Sequence, residues 1–176
     1  MHIRNAHPRD WKSCVSLDHS IMTDYAWRIE EQEHENMMTR SFQSIRLPRQ
    51  VKVIYPRGEA ELRADWSKAD LFQVAVGDGK VCGYVTGRVF FGHGFLWLHD
   101  LVVDPRWRRQ SVGSQLVRTA ATWARELELR RILIEVQTRN HPGVSFCRSL
   151  NFSFCGYNDQ HWRTQDIALL FGLNLR

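Results

Sequence analysis

The stretch Val103-Asp104-Pro105-Arg106-Trp107-Arg108-Arg109-Gln110-Ser111-Val112-Gly113-Ser114 decides the fold of this chain. An apolar strand runs into it, and an amphipathic helix runs out of it. Small residues at a helix N-terminus leave backbone N–H groups free, and the neighbouring arginines add positive charge. The stretch therefore predicts a loop that binds a phosphate group.

Two common nucleotide-binding loops do not fit this stretch. A P-loop ends in Gly-Lys-Ser or Gly-Lys-Thr, and that ending is missing here. A dinucleotide fingerprint needs spaced glycines and an acidic residue about 20 positions later. Gly113 is the only glycine in the stretch. The sequence therefore favours a different ligand that carries phosphate.

Length and composition indicate one globular domain over residues 1–176. The chain is 43% hydrophobic and 24% charged, as is typical of a protein with a substantial core. Its net charge of +5 permits a polyanionic cofactor, an acidic surface or nucleic acid as partner. No nucleic-acid recognition motif occurs, and no apolar run reaches the roughly 20 residues that span a bilayer. Neither nucleic acid nor membrane is therefore expected as a partner.

The cysteines and the N-terminal residues bear on the compartment. The four cysteines form no Cys-x-x-Cys pair, so we expect free buried thiols and no metal site. The stretch that begins at Met1 lacks the apolar segment of a secretory signal. A cytoplasmic location is expected.

Periodicity predicts an α+β fold. The patterns favour strands at 2–5, 71–76, 80–91, 95–103, 131–137, 152–157 and 166–171, and helices at 8–20, 59–68, 112–129 and 142–150. Residues 37–46 favour an extended segment, and Pro48 and Pro56 are expected to bound another at 51–55. Strands and helices thus alternate clearly only in the second half.

The opening stretch resembles the pyrophosphate loop of the GNAT acetyltransferases. The pattern of that superfamily is Arg/Gln-x-x-Gly-x-Gly/Ala after Val-x-Pro, and residues 103–113 fit it. Downstream, Asn140 and residues 146–152 resemble the superfamily's Asn…Phe-Tyr-x-x-Leu-Gly-Phe element. The resemblance covers about residues 70–160. It implies a mostly antiparallel, twisted mixed sheet of six to seven strands with about four helices, and acetyl-CoA as cosubstrate.

One position departs from the superfamily pattern. Ser111 stands where the first glycine is usual. Serine still offers its N–H, but it adopts a positive φ less readily than glycine. We therefore expect Ser111 to be helical.

The resemblance implies which residues hold acetyl-CoA. Residues 71–160 would form the acetyl-CoA core, with backbone groups at the end of the 95–103 strand on the pantetheine arm and the loop on the pyrophosphate. The residues implied are Leu101, Val102, Val103, Arg108, Arg109, Gln110, Ser111, Val112, Gly113, Ser114, Asn140 and Phe146.

Four residues are candidates for the chemistry. His99 and Asp100 lie on the strand beside the implied thioester, and Glu135 lies on the next strand. Because successive strand residues point to opposite faces, only one of His99 and Asp100 is expected to face the site. Cys147 stands where many relatives have a tyrosine acid, and the alternative is that it only packs in the core.

Residues 1–70 are expected to form much of the acceptor side. Asp24, Tyr25 and Trp27 combine a carboxylate with aromatic walls, and residues 161–163 either cap the site or form only a loop. Residues 17–28 and 152–169 also resemble streptothricin acetyltransferases. The function implied is acetyl transfer from acetyl-CoA to a primary amine of a small molecule, by direct attack on the thioester. Alternatives are a protein lysine or N-terminal acetyltransferase and a non-catalytic acyl-CoA-binding module, and a homodimer is the assembly considered.

Overall fold

The computed structural model describes residues 1–175, which form nine strands and four α-helices. The strands are β1 (His2–Asn5), β2 (Ile21–His34), β3 (Met37–Val53), β4 (Leu71–Gly77), β5 (Lys80–Phe90), β6 (Phe95–Val103), β7 (Arg131–Gln137), β8 (Ser153–Asn158) and β9 (Ala168–Asn174). The α-helices are α1 (Trp11–Ser16), α2 (Glu59–Trp66), α3 (Val112–Glu126) and α4 (His141–Ser149).

Seven strands form one mixed sheet in the order β1-β4-β5-β6-β7-β9-β8. β6 and β7 are parallel, and every other neighbouring pair is antiparallel. β2 and β3 form a separate two-stranded sheet. The predicted α+β class, strand number and helix number are therefore confirmed.

Apolar layers cover both faces of the large sheet. α3 packs on one face, where Leu98 and Leu116 belong to the larger buried cluster. α1 and α2 pack on the other face, where Cys14, Leu62 and Tyr84 form a smaller cluster. Burying one large apolar side chain stabilises the fold by about 1.5–3 kcal/mol. The two layers therefore hold the strand ends, where the candidate site lies, in fixed positions.

The first half departs from the predicted pattern. The segment from Pro8 begins with a short 3₁₀ turn, and α1 then ends at Ser16 rather than Ser20. β3 runs through Pro48, which does not bound a strand as predicted. Residues 47–50 lie in a wide bulge opposite Asp24, where a missing proline N–H removes no ladder bond.

The β2–β3 hairpin packs against the C-terminal half of the chain. The Trp27 N–H donates to the Thr138 carbonyl at 2.8 Å, just beyond the end of β7. The rings of Phe42 and Phe154 are 4.7 Å apart, so the hairpin also covers β8. Among the helices of residues 1–175, none combines the length and apolar character needed to cross a membrane.

Candidate active site

The site begins where β6 and β7 diverge. The two parallel strands pair only from Phe95 with Arg131 to Leu98 with Ile134. Beyond that point β6 still pairs with β5, but its edge toward β7 carries no ladder. Unpaired backbone groups at a strand edge can bind an extended ligand as an added strand would.

A narrow groove of about 160 Å³ follows this edge, and we call it the strand-end groove. It brings together seven of the residues that the sequence implied for acetyl-CoA. These are Leu101, Val102, Val103, Arg108, Gly113, Asn140 and Phe146. His19, Ile21 and Tyr55 form a further wall. A Cβ on Gly113 would lie 3.3 Å from the Phe146 ring, so glycine keeps the ring and the α3 backbone close together.

The first turn of α3 offers N–H groups to a ligand, and the residues just before it have an unusual backbone. The first helical hydrogen bond runs from the Gln115 N–H to the Ser111 carbonyl at 2.9 Å, so the N–H groups of residues 112–114 have no helical partner. Arg109 and Ser111 adopt left-handed φ values of 62° and 63°. The prediction that Ser111 is helical is therefore wrong: the residue adopts a left-handed conformation, which is strained for a residue with a side chain.

Arg108 joins two segments that are far apart in sequence. Its Nε donates to the Val103 carbonyl at 2.9 Å, and its Nη2 donates to the carbonyls of Asp18 and Ser20 at 3.0 and 2.9 Å. Burial lowers the pKa of this guanidinium from its ordinary value. These bonds hold the segment that carries His19 against the end of β6, so Arg108 determines where this wall of the groove lies.

Asn140 and Cys147 fix α4 from inside the protein. The Asn140 Oδ1 accepts from the Gly143 N–H at 2.8 Å and caps the helix beside the groove. Cys147 is only 1% exposed and lies in the core, and burial raises the pKa of its thiol to about 12. The position of Cys147 matches the packing interpretation rather than that of an acid beside the ligand.

A β-bulge in β6 changes where the candidate catalytic residues point. Leu98 pairs with Gly87 and Asp100 pairs with Thr86, so His99 has no partner on β5. The extra residue interrupts the alternation of faces, as bulges do. His99 and Asp100 therefore both point to the face of the sheet that carries Tyr55, Arg57 and Asp65. Strict alternation predicted opposite faces, and the bulge overturns that expectation.

An ion-pair network links these two residues to α2. Arg57 donates from Nε to Asp100 Oδ1 at 3.0 Å and also contacts the carboxylate of Asp65. Asp65 Oδ2 lies 3.2 Å from His99 Nδ1. The Tyr55 hydroxyl donates to Asp100 Oδ1 at 3.0 Å, and burial with this carboxylate raises the pKa of Tyr55 well above its usual range. Burial opposes the charge of Arg57, but the two carboxylates outweigh it and raise the pKa of the guanidinium.

Two clefts lie on either side of Pro56 and Arg57. The first, of about 420 Å³, is the tyrosine cleft, lined among others by Asp18, His19, Lys52, Tyr55, Tyr84 and Asp100. It shares His19 and Tyr55 with the strand-end groove. The second, of about 360 Å³, is the aromatic cleft, lined by Pro56, Arg57, Glu61, Phe90, Trp97, His99, Glu135, His161, Trp162 and Arg163. Of the two candidate residues on β6, His99 lines the aromatic cleft and Asp100 lines the tyrosine cleft.

Glu135 lies in the aromatic cleft, one residue past the last β7 residue that pairs with β6. Its carboxylate contacts the His161 imidazole. Burial raises the pKa of Glu135, while the nearby His161 and His99 oppose that rise. A carboxyl group whose pKa is raised toward neutrality is a common feature of sites that move protons.

The three predicted acceptor residues lie outside these two clefts. Trp27 stacks near the His141 ring at 6.0 Å, and the Arg148 guanidinium lies 4.6 Å from its ring centre. Tyr25 is 5.1 Å from His141, and Asp24 is exposed opposite the hairpin bulge. Tyr25 and Trp27 thus attach the hairpin to α4.

Sequence reasoning did not single out Tyr55, Arg57 or Asp65 for the site. Their contacts with β6 join residues 34 to 45 positions apart in sequence. No short motif spans such a separation.

Comparison with known proteins gives a consistent result. The Acetyltransferase (GNAT) family model matches residues 27–152. Streptothricin acetyltransferase from Streptomyces lavendulae is 30% identical over 157 residues, which cover 87% of this chain and 82% of that protein.

Solved structures support the same fold. Nourseothricin acetyltransferase matches with a TM-score of 0.85 and 22% identity, covering 99% of this chain and 98% of that one. A candidate streptothricin acetyltransferase from Bacillus anthracis str. Ames, solved with acetyl coenzyme A, gives 0.79 and 18% identity over 98% and 97% of the two chains. The resemblance drawn from the loop is confirmed. The chain therefore belongs to the acetyltransferase (GNAT) family and is an acetyl-CoA-dependent N-acetyltransferase.

Proposed function

We propose that this protein acetylates a primary amine of a small cationic molecule, and that the aromatic cleft receives that amine. The observation that carries the proposal is the meeting of aromatic rings and carboxylates beside the point where β6 and β7 diverge. Carboxylates attract an ammonium group, and tryptophan rings add cation–π attraction of about 0.5–2 kcal/mol. The relatives named for streptothricin and nourseothricin support an antibiotic amine as the acceptor.

The strand-end groove would hold acetyl-CoA. The edge of residues 101–103 that no described strand pairs lies along one side, and Gly113 lines the groove from the first turn of α3, whose N–H groups have no helical partner. Because Gly113 has no Cβ, the Phe146 ring packs directly against the start of this helix. This arrangement fits an extended arm that ends in a pyrophosphate. When bound, acetyl-CoA supplies the thioester carbonyl that the amine attacks.

His99 is the proposed proton acceptor. Its Nδ1 faces Asp65, so its Nε2 is the nitrogen left for the cleft. A neutral imidazole can take a proton from the incoming ammonium group onto Nε2, which leaves the lone pair of the amine free for attack. Imidazole is suited to this step because it exchanges protons near neutral pH.

Glu135 is the proposed anchor for the ammonium group. Its carboxylate lies on the same cleft as His99 and Trp97. The His161 imidazole contacts this carboxylate, and a cationic acceptor would compete with it for the contact. Loss of this carboxylate is therefore expected to weaken binding of the acceptor more than it slows acetylation of the bound acceptor.

A thiol-release assay with acetyl-CoA tests the proposal. The acceptors are streptothricin, an aminoglycoside, spermidine and a lysine peptide, each at several concentrations. We expect turnover of at least one small cationic amine and none of the peptide. Preference for the peptide would make this a protein acetyltransferase, and acetyl-CoA binding without turnover of any amine would make it a binding module.

Matched variants test the assignment of Glu135 in the same assay. Glu135→Gln should raise the KM for the amine by about tenfold, since charged contacts contribute about 1.5–3 kcal/mol. Glu126→Gln removes an exposed carboxylate of α3 and should change nothing. An unchanged KM in Glu135→Gln would remove Glu135 from the acceptor site.

Cys147 has no part in the proposed chemistry. Cys147→Ala should keep the pH dependence of kcat, because the buried thiol does not line the groove. The same change should lower the free energy of unfolding by about 1 kcal/mol through lost packing. Activity across pH and thermal unfolding check the two parts, and a lost alkaline limb of the kcat profile would restore Cys147 as the acid.

A further inference from the structure

We infer that Asp65 on α2 is a positioning residue that fixes the proton of His99 on Nδ1, with Arg57 fixing Asp65 in turn. This inference rests on the proposed function, because it explains how His99 presents Nε2 to the acceptor. Asp65 touches neither groove nor cleft among the lining residues, so it would act only through its neighbours.

The contact between Asp65 and His99 is specific to one ring nitrogen. Asp65 Oδ2 lies 3.2 Å from His99 Nδ1, and the side chains are only 13% and 19% exposed. An ionised carboxylate can only accept a hydrogen bond. Nδ1 must therefore carry the proton, and in the neutral imidazole Nε2 then keeps its lone pair.

Nε2 of His99 faces the aromatic cleft. Within residues 1–175 it has no hydrogen-bond partner, and the ring lines the cleft together with Glu135. The tautomer set by Asp65 is thus the one that leaves an acceptor nitrogen where the amine would enter. The opposite tautomer would present an N–H there and could not take up a proton.

Arg57 keeps Asp65 in place. Its guanidinium contacts Asp65 and also donates to both oxygens of Asp100, at 3.0 and 3.3 Å. Asp100 is 2% exposed and is further held by the Tyr55 and Thr86 hydroxyls, at 3.0 and 2.9 Å. Asp100 therefore anchors the network, and Asp65 connects the network to His99.

The charges of the network favour the same role. One guanidinium lies between two carboxylates, which leaves one excess negative charge beside His99. The imidazolium that forms when His99 accepts a proton would therefore face an opposite charge at short range. The β-bulge is required for this arrangement because it turns His99 and Asp100 toward the same face of the sheet, where Arg57 and Asp65 lie.

Nitrogen NMR of labelled histidine measures the tautomer directly, without substrate. The signals of His99 are identified among the eight histidines by their loss in His99→Gln. We expect the Nδ1–H form in the wild type, a mixture in Asp65→Ala, and a retained Nδ1–H form in Asp65→Asn, whose amide oxygen can still accept. Glu126→Ala, an exposed carboxylate of α3, is the control.

Kinetics on the same variants completes the test. Asp65→Ala should lower kcat by about 100-fold and Asp65→Asn by about tenfold, with the KM for acetyl-CoA unchanged. A purely structural role would lower the melting temperature but leave the His99 tautomer unaltered. An Nε2–H tautomer in the wild type, or a kcat within about twofold in Asp65→Ala, overturns the inference. If no amine is acetylated at all, the proposed function fails, while the NMR result still decides whether Asp65 fixes the tautomer.

Discussion

The strand-end groove and the aromatic cleft share no lining residue among residues 1–175, and they are built differently. The groove combines backbone groups with side chains, and the single stretch 101–113 supplies five of its twelve lining residues. The cleft uses side chains from five separate segments, joined to α2 by ion pairs. Backbone groups are present whatever the side chain, so a groove tolerates substitution, whereas a cleft made of side chains depends on each of them.

The sharpest way to separate the two regions is to remove the proposed proton acceptor. His99→Gln should lower kcat by at least about 100-fold, because general base catalysis typically contributes 10²–10⁴-fold. Calorimetry should give an unchanged dissociation constant for acetyl-CoA, since His99 does not line the groove. A weakened acetyl-CoA complex would show that the two regions are not independent.

The next largest effect is expected at the β-bulge. A Cβ on Gly87 would lie 2.9 Å from the Trp97 carbonyl oxygen, which is backbone and cannot turn aside. Gly87→Ala should lower the free energy of unfolding by about 2 kcal/mol and the melting temperature by about 4–8 °C. Gly92→Ala is the control, because a Cβ there meets no atom within 4 Å. Equal melting temperatures would mean that β6 accepts the extra carbon without shifting.

The shape of the groove depends on the side chain of Arg108. Arg108→Ala removes three hydrogen bonds and frees the segment that carries His19, so acetyl-CoA should bind about tenfold more weakly. Arg106→Ala in the same loop removes a guanidinium that is 83% exposed and pairs with nearby Asp104. If both variants lose the same affinity, net charge rather than the link made by Arg108 sets the binding.

The smallest effect is expected at Ser111. Ser111→Gly relieves a left-handed residue, which is unfavourable by about 1–2 kcal/mol, but makes the unfolded chain more flexible. The net gain should be about 0.5 kcal/mol in unfolding experiments, with the KM for acetyl-CoA unchanged. Ser114→Gly, at a helical position of α3, should instead lower stability. If Ser111→Gly lowered stability, the serine side chain would have to make contacts that outweigh the strain of its left-handed backbone.

The two regions also differ in what the sequence could reveal. Seven residues of the groove were predictable because they lie in two short motifs, one of which forms a strand, a turn and a helix in succession, whereas the wall made by His19, Ile21 and Tyr55 was not predicted. The network of Arg57, Asp65, His99 and Asp100 was not, because its contacts span more than 30 residues. The bulge at His99 has no marker beyond Gly87 on the opposite strand, and strict alternation therefore gave the wrong faces.

Backbone strain and long hairpins were equally hidden. The pattern of residues 37–46 indicated an extended segment, and Pro48 was expected to separate it from the segment at 51–55. β3 instead continues through Pro48, because residues 47–50 bulge out of the ladder there. Ser111 was expected to avoid a positive φ, although the surrounding loop holds it there. In both places the tertiary structure outweighs the local preference of one residue.

The position of β9 has a consequence for how the protein matures on the ribosome. β9 is made after every other strand, yet it lies inside the sheet between β7 and β8. β8 pairs only with β9, and the β2–β3 hairpin rests on β8 through Phe42, Phe154 and Tyr157. During synthesis the sheet therefore stays open, and the hairpin lacks its full support, until residues 168–174 have left the exit tunnel.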